Sequence, residues 1–195
     1  MSPMDPALQT LDDDALMVLF AHGDPSAAKL LTTRLLPRAL GHARRVLGNE
    51  AEAEDVAQEA MLKLWKAAKD WDQGGAARPS TWLYRVVANL CVDRLRKSGR
   101  AVGLDPDFDP ADDAPGPQEM LEHAGRMVAL DAALAQLPER QRQAVVLRHI
   151  EGLSNPEIAL ALDIGVEAVE SLTARGKRAL AAALQGQKEA LGYGT

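Results

Sequence analysis

Ser171, Arg175, Lys177 and Arg178 fall within eight residues of one another near the end of the segment Leu153–Leu180. A hydroxyl and three cations at helical spacing can grip phosphates and reach base edges. The elements needed to hold them are legible just upstream. Ser154 is a good N-cap, Pro156 suits a first turn, and Glu157, three residues after the cap, completes an S-x-x-E capping box. Ile158, Leu160, Ala161 and Leu162 supply the apolar side of a short helix. Asp163-Ile164-Gly165 breaks it, with Gly165 expected to supply the turn. Val166, Val169 and Leu172 give a second helix its apolar side. Two helices joined by a short glycine turn form the unit that lays its second helix in a DNA major groove. The same pattern also suits an ordinary pair of packed helices.

A second constellation lies earlier. On a helix expected from about 80 to 98, Arg85, Asn89 and Arg96 fall on a common face beside Trp82 and Tyr84. A basic groove with aromatic platforms is what unpaired DNA requires. The alternative places Trp82 in the core and leaves the arginines solvated. A third constellation is acidic. A helix expected from about 51 to 69 has an apolar stripe of Ala57, Met61, Leu64, Trp65 and Ala68. Asp55, Gln58, Glu59 and Lys66 occupy its other face, either solvated or docked on a basic partner.

Composition bounds what can carry these residues. Of 195 residues, 47% are hydrophobic and only 4% aromatic, and Leu and Ala dominate. Both favour helix, and no period-2 run of β-branched residues argues for strands. The expectation is an all-α protein of two small helical domains. No basic segment followed by an apolar core opens the chain, and no run of about 18 apolar residues suggests a membrane span. The single cysteine, Cys91, rules out an internal disulfide and suits a reducing cytoplasm. It reads as a small core residue rather than a redox sensor.

Charge is segregated. Arg78, Arg85, Arg94, Arg96, Lys97 and Arg100 face one acid, Asp93, whereas residues 101–122 hold seven acids and no Lys or Arg. That acidic stretch also carries Pro106, Pro110, Pro115, Pro117, Gly103 and Gly116, the composition of a linker. It divides the chain into an N-terminal domain over 8–99, a linker over 100–118, a helix-turn-helix domain over 119–185 and a fraying tail over 186–195. Within the first domain, Thr10 is expected to cap a helix, Pro37 to kink or break the next one, and Gly48-Asn49 to end it. The overall net charge of −6 excludes a protein that coats nucleic acid with its whole surface.

In order and spacing, LDDDALMVLFAHGD, AEAEDVAQEAMLKLW, STWLYRVVANLCVDRLRK and LAQLPERQRQAVVLRHIEGLSNPEIA resemble the extracytoplasmic-function sigma factors of the sigma-70 family. The resemblance implies a job for each segment. Asp55, Gln58 and Glu59 would dock on the clamp helices of core RNA polymerase. The segment from Asp70 to Lys97 would read the promoter −10 element. There, Arg78, Ser80, Tyr84, Arg85 and Asn89 would stand around a flipped base, with Arg94, Arg96 and Lys97 on phosphates. The linker would thread the polymerase interior. The C-terminal domain would dock on the polymerase flap and read the −35 element through Ser171, Arg175, Lys177 and Arg178, with Arg148 and Ser154 on phosphates. An anti-sigma factor is the expected regulator.

One departure stands out. Glu170 and Leu172 occupy recognition-helix positions where the family usually carries basic residues, and Pro138–Leu180 holds six acids and six bases. This keeps a rival reading open: a sigma-like decoy that binds an anti-sigma factor without initiating transcription. The basic segment 78–100 argues against a decoy. An enzyme has less support, because His22, His42, His123 and His149 are scattered and no metal or phosphate-loop motif is present. No cofactor is expected.

Overall fold

The structure, a computed structural model, describes residues 6–72, 75, 77–97 and 117–190. The helices are α1 (Pro6–Gln9), α2 (Asp13–Ala21), α3 (Pro25–Leu47), α4 (Glu50–Ala67), α5 (Pro79–Lys97), α6 (Pro117–Ala135), α7 (Glu139–Val145), α8 (Asn155–Leu162) and α9 (Val166–Ala190). A 3-10 turn, Ala68–Asp70, extends α4, and a π turn, Val146–Ile150, extends α7. There is no strand among the described residues, so the all-α expectation holds. The expected linker lies outside the described residues except at Pro117 and Gln118, which already belong to α6. Of the expected tail, residues 186–190 belong to α9.

Helices α2 to α5 wrap one core. Leu16 and Met17 of α2, Leu31, Leu35 and Val46 of α3, Val56 and Leu64 of α4, and Leu83, Val87 and Cys91 of α5 are all essentially buried. The stripe expected on α4 packs as its periodicity implies, with Ala57, Met61, Leu64 and Ala68 buried and Trp65 against Phe20 at 4.5 Å. Burial raises the Cys91 thiol to about 12, so it stays protonated and packs as a small apolar group.

Three local expectations are corrected. The cap of α2 is Asp12, whose carboxylate accepts from the Ala15 N–H at 2.8 Å; Thr10 lies outside the helix. Pro37 does not break α3, which continues to Leu47. A mid-helix proline costs about 3 kcal/mol through its lost N–H. Here Pro37 is exposed, so the orphaned carbonyl meets water, and Leu31, Leu35, Ala39 and Ala43 bury the helix on both sides of it. The left-handed residue between α8 and α9 is Asp163, with φ 54° and ψ 50°, and not Gly165. A short polar side chain tolerates that conformation.

The C-terminal unit has a thinner core. One cluster joins Leu134, Leu137, Val145 and Val146. The other joins Leu147, Leu153, Ile158, Ala161 and Val169 with a residue of α5, Tyr84. Helix α9 crosses α7 at Gly176, where a Cβ would stand 2.6 Å from the Val145 Cγ2 and 3.1 Å from the Gln141 carbonyl oxygen. Only glycine permits that approach. Four side chains expected on the apolar sides of the motif are exposed or part-exposed instead: Leu160, Leu162, Val166 and Leu172.

Candidate nucleic-acid and polymerase interface

Helix α5 carries the first cluster. It is entered through Pro79, which is tolerated in a first turn, and its inner face is Thr81, Leu83, Val87, Ala88, Cys91 and Leu95. Arg85, Asn89, Arg96 and Lys97 are therefore exposed, as the spacing requires. Trp82 is half-buried and meets Trp71 edge-on at 6.3 Å; Trp71 in turn donates its indole N–H to Asp14 at 2.9 Å. This chain of contacts fixes the start of α5 against α2. Beside it, Asp12, Asp13, Arg38, Arg78 and Ser80 line a polar depression of about 490 Å³.

Arg94 differs from its neighbours. Its guanidinium lies 3.5 Å from Asp55 and 4.0 Å from Glu59, the two acids of the α4 face. Glu59 also pairs with Lys63 at 3.5 Å. Asp55 and Gln58 remain exposed and Glu59 half-exposed, with exposed Leu62 beside them. The acidic face and the basic helix thus meet at one arginine.

Tyr84 is neither a surface platform nor a bundle-core residue. It is 3% exposed, and its hydroxyl donates to the Glu151 carboxylate of the C-terminal unit. Burial and that acceptor raise the phenol well above its usual value. Around it lies a join between the two units. Arg45 of α3 stands 3.8 Å from Glu151 and 4.0 Å from Asp131 of α6. Arg142 of α7 donates to the Val46 carbonyl of α3 at 2.6 Å, and to Ala135 and Leu137 carbonyls of its own unit at 2.7 and 3.2 Å. Beneath the join is His42, fully buried, its ring 5.7 Å from that of Tyr84. Neither ring nitrogen has a hydrogen-bond partner among the described residues. Desolvation, and secondarily Arg45, lowers the His42 imidazole to about 3, so it is neutral.

None of Glu151, Arg45, Arg142, His42 or Asp131 was singled out from the sequence for this role. The Tyr84–Glu151 pair spans 67 residues, and no local spacing signals it. As a result α5 and the helix-turn-helix share a cleft of about 410 Å³, with Asn89, Asp93 and Arg96 on one wall and Leu162, Ile164 and Leu172 on the other.

In the helix-turn-helix itself, the capping box forms. The Ser154 N–H and hydroxyl both donate to Glu157 Oε2, at 2.8 and 2.6 Å. Those two bonds hold the Glu157 carboxyl below its usual range. On α9, Ser171, Arg175, Lys177 and Arg178 are exposed. Arg175 folds back on Ser171, its Nη2 at 2.9 Å from the hydroxyl oxygen and its Nε at 3.2 Å from the carbonyl. Arg148, exposed on the π turn, donates to the Leu153 carbonyl at 2.9 Å. The α5 and α9 sets are on separate elements. No group of three or more potential metal ligands occurs among the described residues.

Two family models match the chain, Sigma-70 region 2 over residues 31–101 and Sigma-70, region 4 over residues 127–180. The ECF RNA polymerase sigma factor SigE of Mycolicibacterium smegmatis is 38% identical over 143 residues, covering 71% of this chain; the chain spans about half of that relative's length, 54%. The RNA polymerase sigma factor NccH of Alcaligenes xylosoxydans xylosoxydans is 32% identical over 179 residues, covering 89% of this chain and 95% of the relative. Among solved structures, CnrH in complex with the cytosolic domain of CnrY superposes with a TM-score of 0.64 at 28% identity, covering 89% of this chain and 97% of that one. With both units matched in order on the helices that carry the two clusters, the chain belongs to the extracytoplasmic-function RNA polymerase sigma factors of the sigma-70 family.

Proposed function

We propose that this chain joins core RNA polymerase through the Asp55, Gln58 and Glu59 face of α4, reads the −10 element with α5 and the −35 element with α9, and acts by binding rather than by catalysis. The observation that carries this reading is the division of exposed charge: acids on α4, and Arg85, Asn89, Arg96 and Lys97 on the adjoining α5, within the region-2 match. Carboxylates facing a basic clamp favour fast and correctly oriented docking. The polar depression at Arg78 and Ser80 offers a place for an unstacked base.

The closed join adds a conformational requirement. Tyr84 is covered, and Asn89 and Arg96 look into the cleft shared with the helix-turn-helix. The two units must part before Tyr84 or the cleft wall can meet DNA, and polymerase binding supplies the force that parts them. CnrH, which superposes on this chain, was solved bound to the cytosolic domain of CnrY, and a protein regulator of the anti-sigma kind is the partner this reading expects. No described helix is long and apolar enough to cross a membrane; the transcriptional role proposed here implies a cytoplasmic protein.

Run-off transcription with core polymerase and fragmented genomic DNA tests the reading. New start sites sharing two upstream motifs are expected. Folded protein that yields no transcripts would overturn it and favour the decoy. Asp55→Arg with Glu59→Arg should abolish co-elution with core polymerase while helicity by circular dichroism stays unchanged.

A further inference from the structure

The outward side of α9 is chemically divided along its length. Glu167, Ala168, Glu170, Ser171 and Ala174 are exposed over its first turns, and the cations begin only at Arg175. Val169, fully buried, and Gly176 point inward and fix which side faces out. A recognition helix enters the major groove with its N-terminal turns, so the groove floor meets an acid and the bases come later, at the level of phosphates. Among base edges there, guanine N7 and O6 and thymine O4 present lone pairs that repel a carboxylate. Only cytosine N4 and adenine N6 donate, and adenine sets an N7 acceptor beside its donor. Cytosine alone offers a donor without an adjacent acceptor on the same base.

Glu170 is also restrained. The Asn155 side-chain amide, on the first residue of α8, donates to Glu170 Oε1 at 3.5 Å, leaving Oε2 without a partner among the described residues. Asn155 is carried on the capped first turn of α8, whose start the Ser154–Glu157 box holds. The contact is long, so it biases the carboxylate toward α8 rather than locking it there.

We infer that Glu170 reads a cytosine in the upstream promoter element, with Asn155 as its positioning residue. The inference rests on α9 being the −35 reader. It gives this chain a promoter code distinct from one read by arginine, which would select guanine at the same place.

The test is transcription by holoenzyme from a promoter library randomised over the upstream element, read by sequencing. Wild type should fix cytosine at one position. Glu170→Ala should reduce that preference by about tenfold while the other positions keep theirs. Glu170→Gln should move the position toward adenine, because an amide pairs with N6 and N7 together. Asn155→Ala should weaken the cytosine preference by less than Glu170→Ala does, and no change would remove it as a positioning residue. Glu170 is exposed, so all variants should retain wild-type helicity. An upstream element whose every position is unchanged in Glu170→Ala and Glu170→Gln overturns the cytosine assignment alone. Transcripts from wild type with no upstream preference anywhere overturn the reading of α9 itself.

Discussion

The N-terminal bundle and the C-terminal helix-turn-helix solve the packing problem differently. The bundle closes a core from its own α2–α5, with large side chains contributed by every helix. The helix-turn-helix has too few large apolar residues for that, and one of its two clusters is completed by Tyr84 from the bundle. A small unit buries a smaller fraction of its surface and is correspondingly marginal. The helix-turn-helix unit is therefore stabilised by leaning on the N-terminal bundle. Stability of one and availability of the other are linked through the same aromatic ring.

The sharpest way to break the comparison is to make one cavity in each core. Leu64→Ala, at a fully buried bundle position, should cost about 2–5 kcal/mol and lower the main denaturation midpoint. Ile158→Ala, equally buried, should cost a similar amount, but hydrogen exchange should show the loss confined to α7–α9. Global exchange in both variants would mean that the two units unfold as one. Next in size is the join. Tyr84→Phe removes one charge-assisted hydrogen bond while keeping the ring, a loss of about 1.5–3 kcal/mol from the closed form. Small-angle scattering should then show a larger radius of gyration at unchanged helicity. Arg142→Ala should open the join similarly by freeing the Val46 carbonyl.

His42 gives a pH-dependent version of the same test. Unfolded, its imidazole takes up a proton near pH 6.5; folded, only near 3. Between those values the unfolded state binds the extra proton, so stability falls as pH falls, by up to about 1.4 kcal/mol per pH unit. His42→Leu should flatten that part of the stability profile, and an unchanged acid limb would place its origin elsewhere. The smallest effect is expected at Arg94. Its pairs with Asp55 and Glu59 are part-exposed, so Arg94→Ala should change stability by less than about 1 kcal/mol. Polymerase affinity should change more than stability does, since Asp55 loses its internal partner and Glu59 keeps only Lys63.

What could be read from the chain in advance was mostly local. The Ser154–Glu157 box and the apolar stripe of α4 follow from spacing within a few residues, and both are found as such, whereas spacing alone did not decide Asn89, which is exposed. The turn between α8 and α9 was placed correctly but assigned to Gly165, because glycine is the usual left-handed residue and Asp163 the less common one. Tyr84 could not be resolved, since periodicity puts a side chain on a face but does not reveal what covers that face. Glu151 and Arg45 were illegible for the same reason. The position of Gly176 was also silent, because its meaning comes from Val145 on another helix.

The π turn Val146–Ile150 has an evolutionary corollary. It bonds the Glu151 N–H to the Val146 carbonyl, one residue wider than an α turn, and it ends just where Glu151 meets Tyr84. Loss of a single codon there would restore a regular helix and rotate everything downstream by about 100°. Glu151 would swing off Tyr84, and α8 and α9 would lose their orientation against α5. Surface loops tolerate length change freely, but this five-residue turn makes reading-frame-preserving deletions a hazard, so drift among descendants of this gene should proceed there by substitution alone.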